Sequence, residues 1–552
     1  MAVMGFLREH NTQKSVEQTS LIVPKNFTHS YVVGATGSGK TSSFIYPNLD
    51  DRIRSGHGLC IIDFKGKEHR SVKYFAHKYN RLNDVIEIGV PWGVNTNLIS
   101  NMNIKELKSF VISLMSMNAE NDYWAISASN LVEVIWQSIK AYRNIIEEAR
   151  AINNEKSYKS VVVRFKLPTS LTFSDIASIC KSTVSIASFL NKIVKLSERF
   201  EKTLNSKIEE WAERYDEVVV KNKYLDLMTS VLYFKDIVAN ELKPLEIFSD
   251  SLEGSKNSSM TTLIMSMSTT FASVANNKAF NDENGLDLAQ ELDEGKIIII
   301  NSQEISNVLL GSLVGSTLQE LSKRVRQTKI NPVSIFIDEA QRVMGNSGGN
   351  IDLHTDVLRE AKVEIFIAFQ NYSLMNNAMG KSNFKALILN LVSSYHFKNA
   401  VVVDDLEINM LKEFEYFIDG KDTVHTATPI FLNNNEIFDV ELEYFKCNDV
   451  YEMLNIDEKY RDQVIQFNPT LFQKNMIDLK AKDGTLTTVK LRDKKREELA
   501  LKSISELIIN HQVILAHKKK VQQHNMRNMQ PTLTDSIGES LDEINEFMDS
   551  GK

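Results

Sequence analysis

The eight residues Gly34–Thr41, "GATGSGKT", constrain this chain more than any other stretch. They follow "HSYVV" (29–33), which reads as a short buried strand, and a helix is predicted from about Lys40. A strand that enters a glycine-rich turn opening a helix points several backbone N–H groups inward. It adds the positive end of the helix dipole to them. Such a nest holds anionic oxygen atoms, and the spacing GxxxxGK[ST] is that of a triphosphate cradle. Gly34, Thr36, Gly37, Ser38, Gly39, Lys40, Thr41 and Ser42 are therefore the predicted binding residues. Gly37 and Gly39 stand where a side chain would block the approach of backbone to ligand. Lys40 is placed to reach the β and γ phosphates, and the Thr41 hydroxyl to ligate Mg2+. ATP and Mg2+ are the predicted cofactors.

The rest of the chain fits an α/β fold around this loop. "GLCIIDFKGK" (58–67) and "NDVIEIG" (83–89) read as further strands, so the first hundred residues alternate strand and helix as a parallel sheet requires. From Ile104 to about Gln290 apolar residues recur at three- and four-residue steps, which predicts an all-helical insert. Within it "KSVVVRFKL" (159–167) reads as a strand or a loop. The α/β texture returns with "KIIIINS" (296–302), "PVSIFIDEA" (332–340) and "VEIFIAFQ" (363–370), and 311–327 is the helix between the first two. The predicted division is 1–103 and 291–445 for the two parts of a nucleotide-binding domain, 104–290 for the all-α insert, and 446–552 for a partly disordered C-terminal extension. In that extension 492–523 reads as a basic amphipathic helix. Beyond it Asp535, Glu539, Asp542, Glu543, Glu546 and Asp549 accompany an apolar face of Ile537, Leu541, Ile544 and Met548, a tail that could fold on a protein partner or remain a solvated terminus.

Composition narrows the classes. With 43% hydrophobic and 24% charged residues, a packed core is available and global disorder is excluded. A formal net charge of -7 gives no global signal for nucleic acid, so any such contact must come from a local basic surface or an oligomer's channel. Lys323, Arg324 and Arg326, with the 492–520 helix, are the local candidates. Three cysteines far apart, without CxxC spacing, argue against a disulfide framework or a zinc site and suit a reducing cytosol. No run of about 18 apolar residues is found, so the expectation is a cytoplasmic protein, peripheral at the inner membrane only through a partner.

A second site is predicted at "SIFIDEAQ" (334–341), an apolar strand ending in two adjacent carboxylates. Asp338 is assigned to the metal and Glu339 to the attacking water, the arrangement of an ATPase. Gln370 ends the next strand and either senses the γ phosphate or is a surface turn residue. Arg359, in "VLREAK", is either a solvated helix residue or an arginine finger for a neighbouring subunit.

The ordered set "VVGATGSGKTSSFIYPNL", "GLCIIDFKGK", "VNTNLIS", "DYWAISASNLV", "IFIDEAQ" and "LREAKVEIFIAFQ" resembles the TraG/TraD family of type IV secretion coupling ATPases, over roughly residues 29–400. The resemblance implies a RecA-like P-loop NTPase core of mostly parallel sheet, interrupted by an all-α domain and followed by a helical C-terminal tail. It implies a homo-hexamer that moves DNA or docks protein substrates for export. It also implies membrane-anchored secretion or relaxosome partners. Lys40, Thr41, Asp338 and Glu339 would form the ATPase site, Gln370 the sensor and Arg359 the finger. This chain departs from the family in reading Asp-x-Lys-Gly-Lys before Glu68. Only 33 residues precede Gly34 and none can span a bilayer, so a separate anchor or a cytosolic ring is expected. The alternatives are a soluble HerA/FtsK-like DNA translocase and an ATP-dependent protein-recruitment adapter. A superfamily 1-like helicase is disfavoured by the long helical insert.

Overall fold

The computed structural model describes residues 18–491, except 101, 117–121, 169–170, 243–257, 304, 328, 345–354, 399–401, 404–405, 408–410 and 419–422, together with helical pieces between 501 and 520. The acidic tail at 535–549 and much of the basic helix lie outside the described residues.

Among the described residues one ten-stranded sheet forms the centre. Its strands are β1 (Gln18–Thr19), β2 (Ser30–Val33), β3 (Gly58–Asp63), β4 (Val85–Ile88), β5 (Ile297–Asn301), β6 (Val333–Ile337), β7 (Val363–Phe369), β8 (Ser393–Phe397), β11 (Glu415–Ile418) and β12 (Val424–Ala427); β9 (Val402–Val403) and β10 (Leu406–Glu407) pair separately. The order is β1-β12-β11-β8-β2-β7-β6-β3-β5-β4. From β8 to β4 every neighbouring pair is parallel, so the C-terminal ends of these strands share one edge. β2 lies inside the sheet beside β7 and β8, away from β3 that follows it in sequence, and such a reversal opens a crevice for ligands at that edge.

Both faces are covered, which is why the strands read as continuous apolar runs. Alternate residues point to opposite faces. Val32, Leu59, Ile61, Ile297, Ile299, Phe336 and Phe366 pack with the helices α1 (Tyr46–Arg54) and α2 (Glu68–Lys78) and the helix Asn434–Cys447. Tyr31, Val33, Cys60, Ile62, Ile298, Ile335 and Ile365 face the other way. They share a single core with the helix Asn307–Ser322 and the helices inserted between β4 and β5. That insert contains α3 (Ile104–Ser116), α4 (Asp122–Ala151), α5 (Glu155–Arg164), α6 (Phe173–Ile179), α7 (Thr183–Ala212), α8 (Glu217–Asp236) and the helix Ser258–Ala275. In α7 the buried positions Ile186, Leu190, Ile193, Leu196, Phe200 and Leu204 recur at helical spacing, and the Ser182 hydroxyl caps its first turn.

Two expectations need correction. The stretch 159–167 is mostly helix: α5 runs to Arg164 and buries Tyr158 and Val162, four residues apart, with Tyr158 against Phe200. Tertiary packing overrides the strand preference of the valine run. Thr41–Ile45 form a widened π turn, and Pro47 falls in the first turn of α1, directly after it. Beyond residue 445, where the sequence signal is weak, β13 (Val464–Gln466), β14 (Met476–Lys480) and β15 (Leu486–Lys490) form an antiparallel sheet. Its buried Val464, Ile465, Ile477 and Leu479 join the α1/α2 side of the core.

The π turn also gives "PNL" a role. Asn48 is fully buried and donates to the carbonyls of Leu21 (3.1 Å) and Phe44 (2.7 Å), while accepting from the Val23 N–H (2.8 Å). Its amide thus joins the segment before β2 to the helix after the loop.

Candidate phosphate and hydrolysis site

The loop after β2 is tied to the sheet at both flanks: the Gly34 N–H donates to Phe369 O (3.3 Å) and the Ala35 N–H to Lys398 O (3.0 Å). Gly37 and Gly39 have φ of +78° and +94°, a backbone region costly for any side chain. At Gly39 a Cβ would also lie 2.5 Å from Cδ1 of Phe414. The Lys40 ammonium folds over the loop, donating to the carbonyls of Gly34 and Ala35 (3.0 Å for the latter). Burial lowers its pKa, against the opposing pull of Asp338 and Glu339. Thr41 and Ser42 are half-buried at the start of the helix, Thr36 is exposed at the loop tip, and the Ser38 hydroxyl is buried without a hydrogen-bond partner among the described residues.

Asp338 and Glu339 follow β6 on the same edge. Glu339 has left-handed backbone (φ +54°), and its N–H donates to Asp338 Oδ1 at 2.9 Å. The Glu339 carboxylate accepts from Gln370 Nε2 (3.0 Å) and Gln341 Nε2 (2.5 Å). Lys65, just past β3, bridges the two acids, 3.3 Å from Asp338 Oδ2 and 3.1 Å from Glu339 Oε1. Burial would raise the Glu339 pKa, but Lys65, Gln341 and Lys40 together hold it below the ordinary carboxylate value. Burial likewise works against the Lys65 charge, and the two acids outweigh it and raise its pKa. The Glu339 carboxylate is therefore held ionised and aimed by three side chains. Lys65 was not singled out in the sequence. The signal available was its place in Asp-x-Lys-Gly at the end of a predicted strand.

A further cluster lies behind Lys65. Asp63, fully buried, accepts from the N–H groups of Lys67 (3.1 Å) and His69 (3.1 Å) at the start of α2, and from His69 Nδ1 (3.0 Å). Burial alone would raise its pKa, but these donors lower it decisively. Glu68 is buried beside it. Burial first, then the hydrogen bond and charge of Asp63, push its carboxyl up to about 9. His69 also reaches Glu441 of the helix Asn434–Cys447 at 3.3 Å. Burial disfavours its charge, yet these two acids push it up to about 9.

The structure thus brings together Lys40, Thr41, Asp338, Glu339 and Gln370, but not Arg359. That residue is exposed four positions before β7, at the N-terminal edge of the sheet, and β7 alone spans about 23 Å at roughly 3.3 Å per residue. Nor is Arg324 available to a phosphate backbone. It is 4% exposed, pairs with Asp293 Oδ1 (2.7 Å) and donates to the carbonyls of Asn331 and Ala361. Lys323 pairs with Glu320, and the Arg326 side chain is outside the described ones. The described residues contain no helix long and apolar enough to cross a membrane.

No family model and no curated protein matches the chain. Among solved structures, similarity is found to the bacterial conjugative coupling protein TrwB in its unbound form, at 11% identity and TM-score 0.43, covering 76% of this chain and 90% of that one. A TrwB structure in complex with ADP and Mg2+ gives 12% identity and TM-score 0.44, covering 76% and 91%. VirB4 of Thermoanaerobacter pseudethanolicus gives 11% identity and TM-score 0.34, covering 84% and 89%.

Proposed function

We propose that this chain is an ATP-hydrolysing motor of the coupling-ATPase kind, which assembles as a ring and moves DNA or a protein–DNA substrate. The observation that carries the ATPase part is the convergence, on one sheet edge, of Lys40, Asp338, Glu339, Gln370 and Lys65 from the ends of β2, β6, β7 and β3. The residues fit ATP and Mg2+: a loop backbone turned inward through positive φ at Gly37 and Gly39, an ammonium over it, a hydroxyl at the first helical turn and a carboxylate opposite. Thr41 and Asp338 would hold Mg2+, which when bound neutralises the phosphate oxygens. Lys40 exchanges its loop carbonyls for phosphate oxygens. Glu339, kept ionised by Lys65 and oriented by Gln370 and Gln341, accepts the proton of the attacking water. In this reading Gln370 couples the γ phosphate to the base through the hydrogen bond it already makes.

Coupling to DNA, the hexamer, and anchorage at a membrane through a partner rest on the motif order that resembles the TraG/TraD family. Arg359 can serve only a neighbour's nucleotide, because its own is at the opposite edge. Turnover of ATP with and without single- and double-stranded DNA tests the reading. Stimulation that weakens steeply with salt supports a DNA motor. ATP turnover indifferent to DNA removes that part and favours the protein-recruitment adapter. Arg359→Ala should abolish hydrolysis and spare ATP binding; unchanged turnover removes the finger.

A further inference from the structure

The segment that lies on the phosphate loop comes from far along the chain. The Phe414 N–H donates to Ser38 O (3.3 Å), the Ala427 N–H to Phe414 O (2.9 Å), and the Ile430 N–H to Ser42 O (2.9 Å). These bonds fasten Phe414, Ala427 and Ile430 along the loop and the first turn after it. Phe414 takes left-handed backbone (φ +66°), rare for an aromatic residue, and so lays its ring against Gly39. Phe431 follows at 6.0 Å between centroids, edge to face at 83°, with its own ring 75% exposed. A large aromatic ring is thus held in water beside a packed one, one residue past a bond to Ser42. A nucleotide whose phosphates lay along the loop backbone toward Ser42 would carry its ribose and base out beside Ile430.

We infer that Phe431, backed by Phe414, is the stacking platform for the base of the bound nucleoside triphosphate. The inference rests on the nucleotide reading and adds the base subsite to it. The two phenyl rings offer a π face and no hydrogen-bonding group of their own, so the platform takes adenine and guanine alike. Phe414 is the positioning residue: its bonds to Ser38 and Ala427 fix where the platform stands relative to the phosphates.

The test is equilibrium binding, with Mg2+, of ATP, GTP and inorganic tripolyphosphate to the full chain. Phe431→Ala should weaken ATP and GTP each by about tenfold and leave tripolyphosphate unchanged, with Phe431→Tyr restoring both. Exposure of the ring keeps folding out of the comparison. Equal loss for all three ligands, or loss for none, overturns the platform. So does a loss that depends on protein concentration, which would place a second copy of the chain on Phe431. Lys40→Ala separates the two readings. If it abolishes all binding while Phe431→Ala changes none, the cradle stands and the platform falls. If the wild-type chain binds no ligand, both fall.

Discussion

The strands β6 and β7 carry charge clusters at both ends, and the two clusters are built differently. At the N-terminal edge Arg52 and Glu364 are fully buried, joined by Nε–Oε1 at 2.6 Å and Nη2–Oε2 at 3.0 Å. The Ser334 hydroxyl donates to the same carboxylate at 2.7 Å, and Asp51 takes the remaining Arg52 nitrogen. His57 sits alongside, its pKa pushed down to about 4 by burial and then by Arg52, so it is neutral. Partners there are saturated. At the C-terminal edge Lys65 is 45% exposed and divides itself between two acids, while Lys40 rests on carbonyls of its own loop. The comparison teaches that one pair of strands can carry a locked charge cluster that specifies the fold and an exchangeable one that can meet a triphosphate. Burial and the number of partners per charge set the difference.

Substitutions can break or sharpen that contrast. The largest expected effect on stability is at the locked end: Glu364→Ala leaves Arg52 buried without its main partner and should cost about 3–5 kcal/mol in denaturant unfolding. A loss under about 1 kcal/mol would mean the locked end is not locked. Gly39→Ala places a Cβ against Phe414 in a forbidden backbone region and should abolish nucleotide binding while the fold persists, checked by titration and circular dichroism. Lys65→Met removes the bridge between Asp338 and Glu339. Turnover should fall about 10- to 100-fold, with stability changed by less than about 1 kcal/mol because the ammonium is half in water.

The smallest effect concerns pH. His69 is held charged, so its stabilising contribution is full below its unfolded pKa of about 6.5 and is lost as pH rises through about 9. Wild type should lose on the order of 1–3 kcal/mol more than His69→Asn between those values in thermal unfolding. Parallel curves would show that Asp63, His69 and Glu441 do not act as a charged triad.

Legibility in the sequence followed the length of the interaction. β2 to β7 were readable because strands buried on two faces are apolar throughout, and the phosphate loop because its chemistry is contiguous. β14 and β15 were missed although Ile477 and Leu479 alternate with polar residues, because each strand offers only one face to the core and is flanked by polar sequence. α5 misled because Val161–Val163 favours strand locally. Phe414 was illegible for another reason. Its contact with Gly39 joins positions hundreds of residues apart through an unusual φ, which no local pattern encodes. Arg359 shows the converse: its order in the motif set was readable, but its place at the far edge of the sheet was not.

The most direct measurement is single-turnover ATP hydrolysis by Glu339→Gln beside wild type, with ATP binding measured on the same samples. The account predicts unchanged or tighter binding and hydrolysis reduced by about 10^2–10^4-fold, the range for loss of a positioned general base. Hydrolysis at the wild-type rate would contradict it, because the acid that Lys65, Gln341 and Gln370 converge on would then have no part in the chemistry.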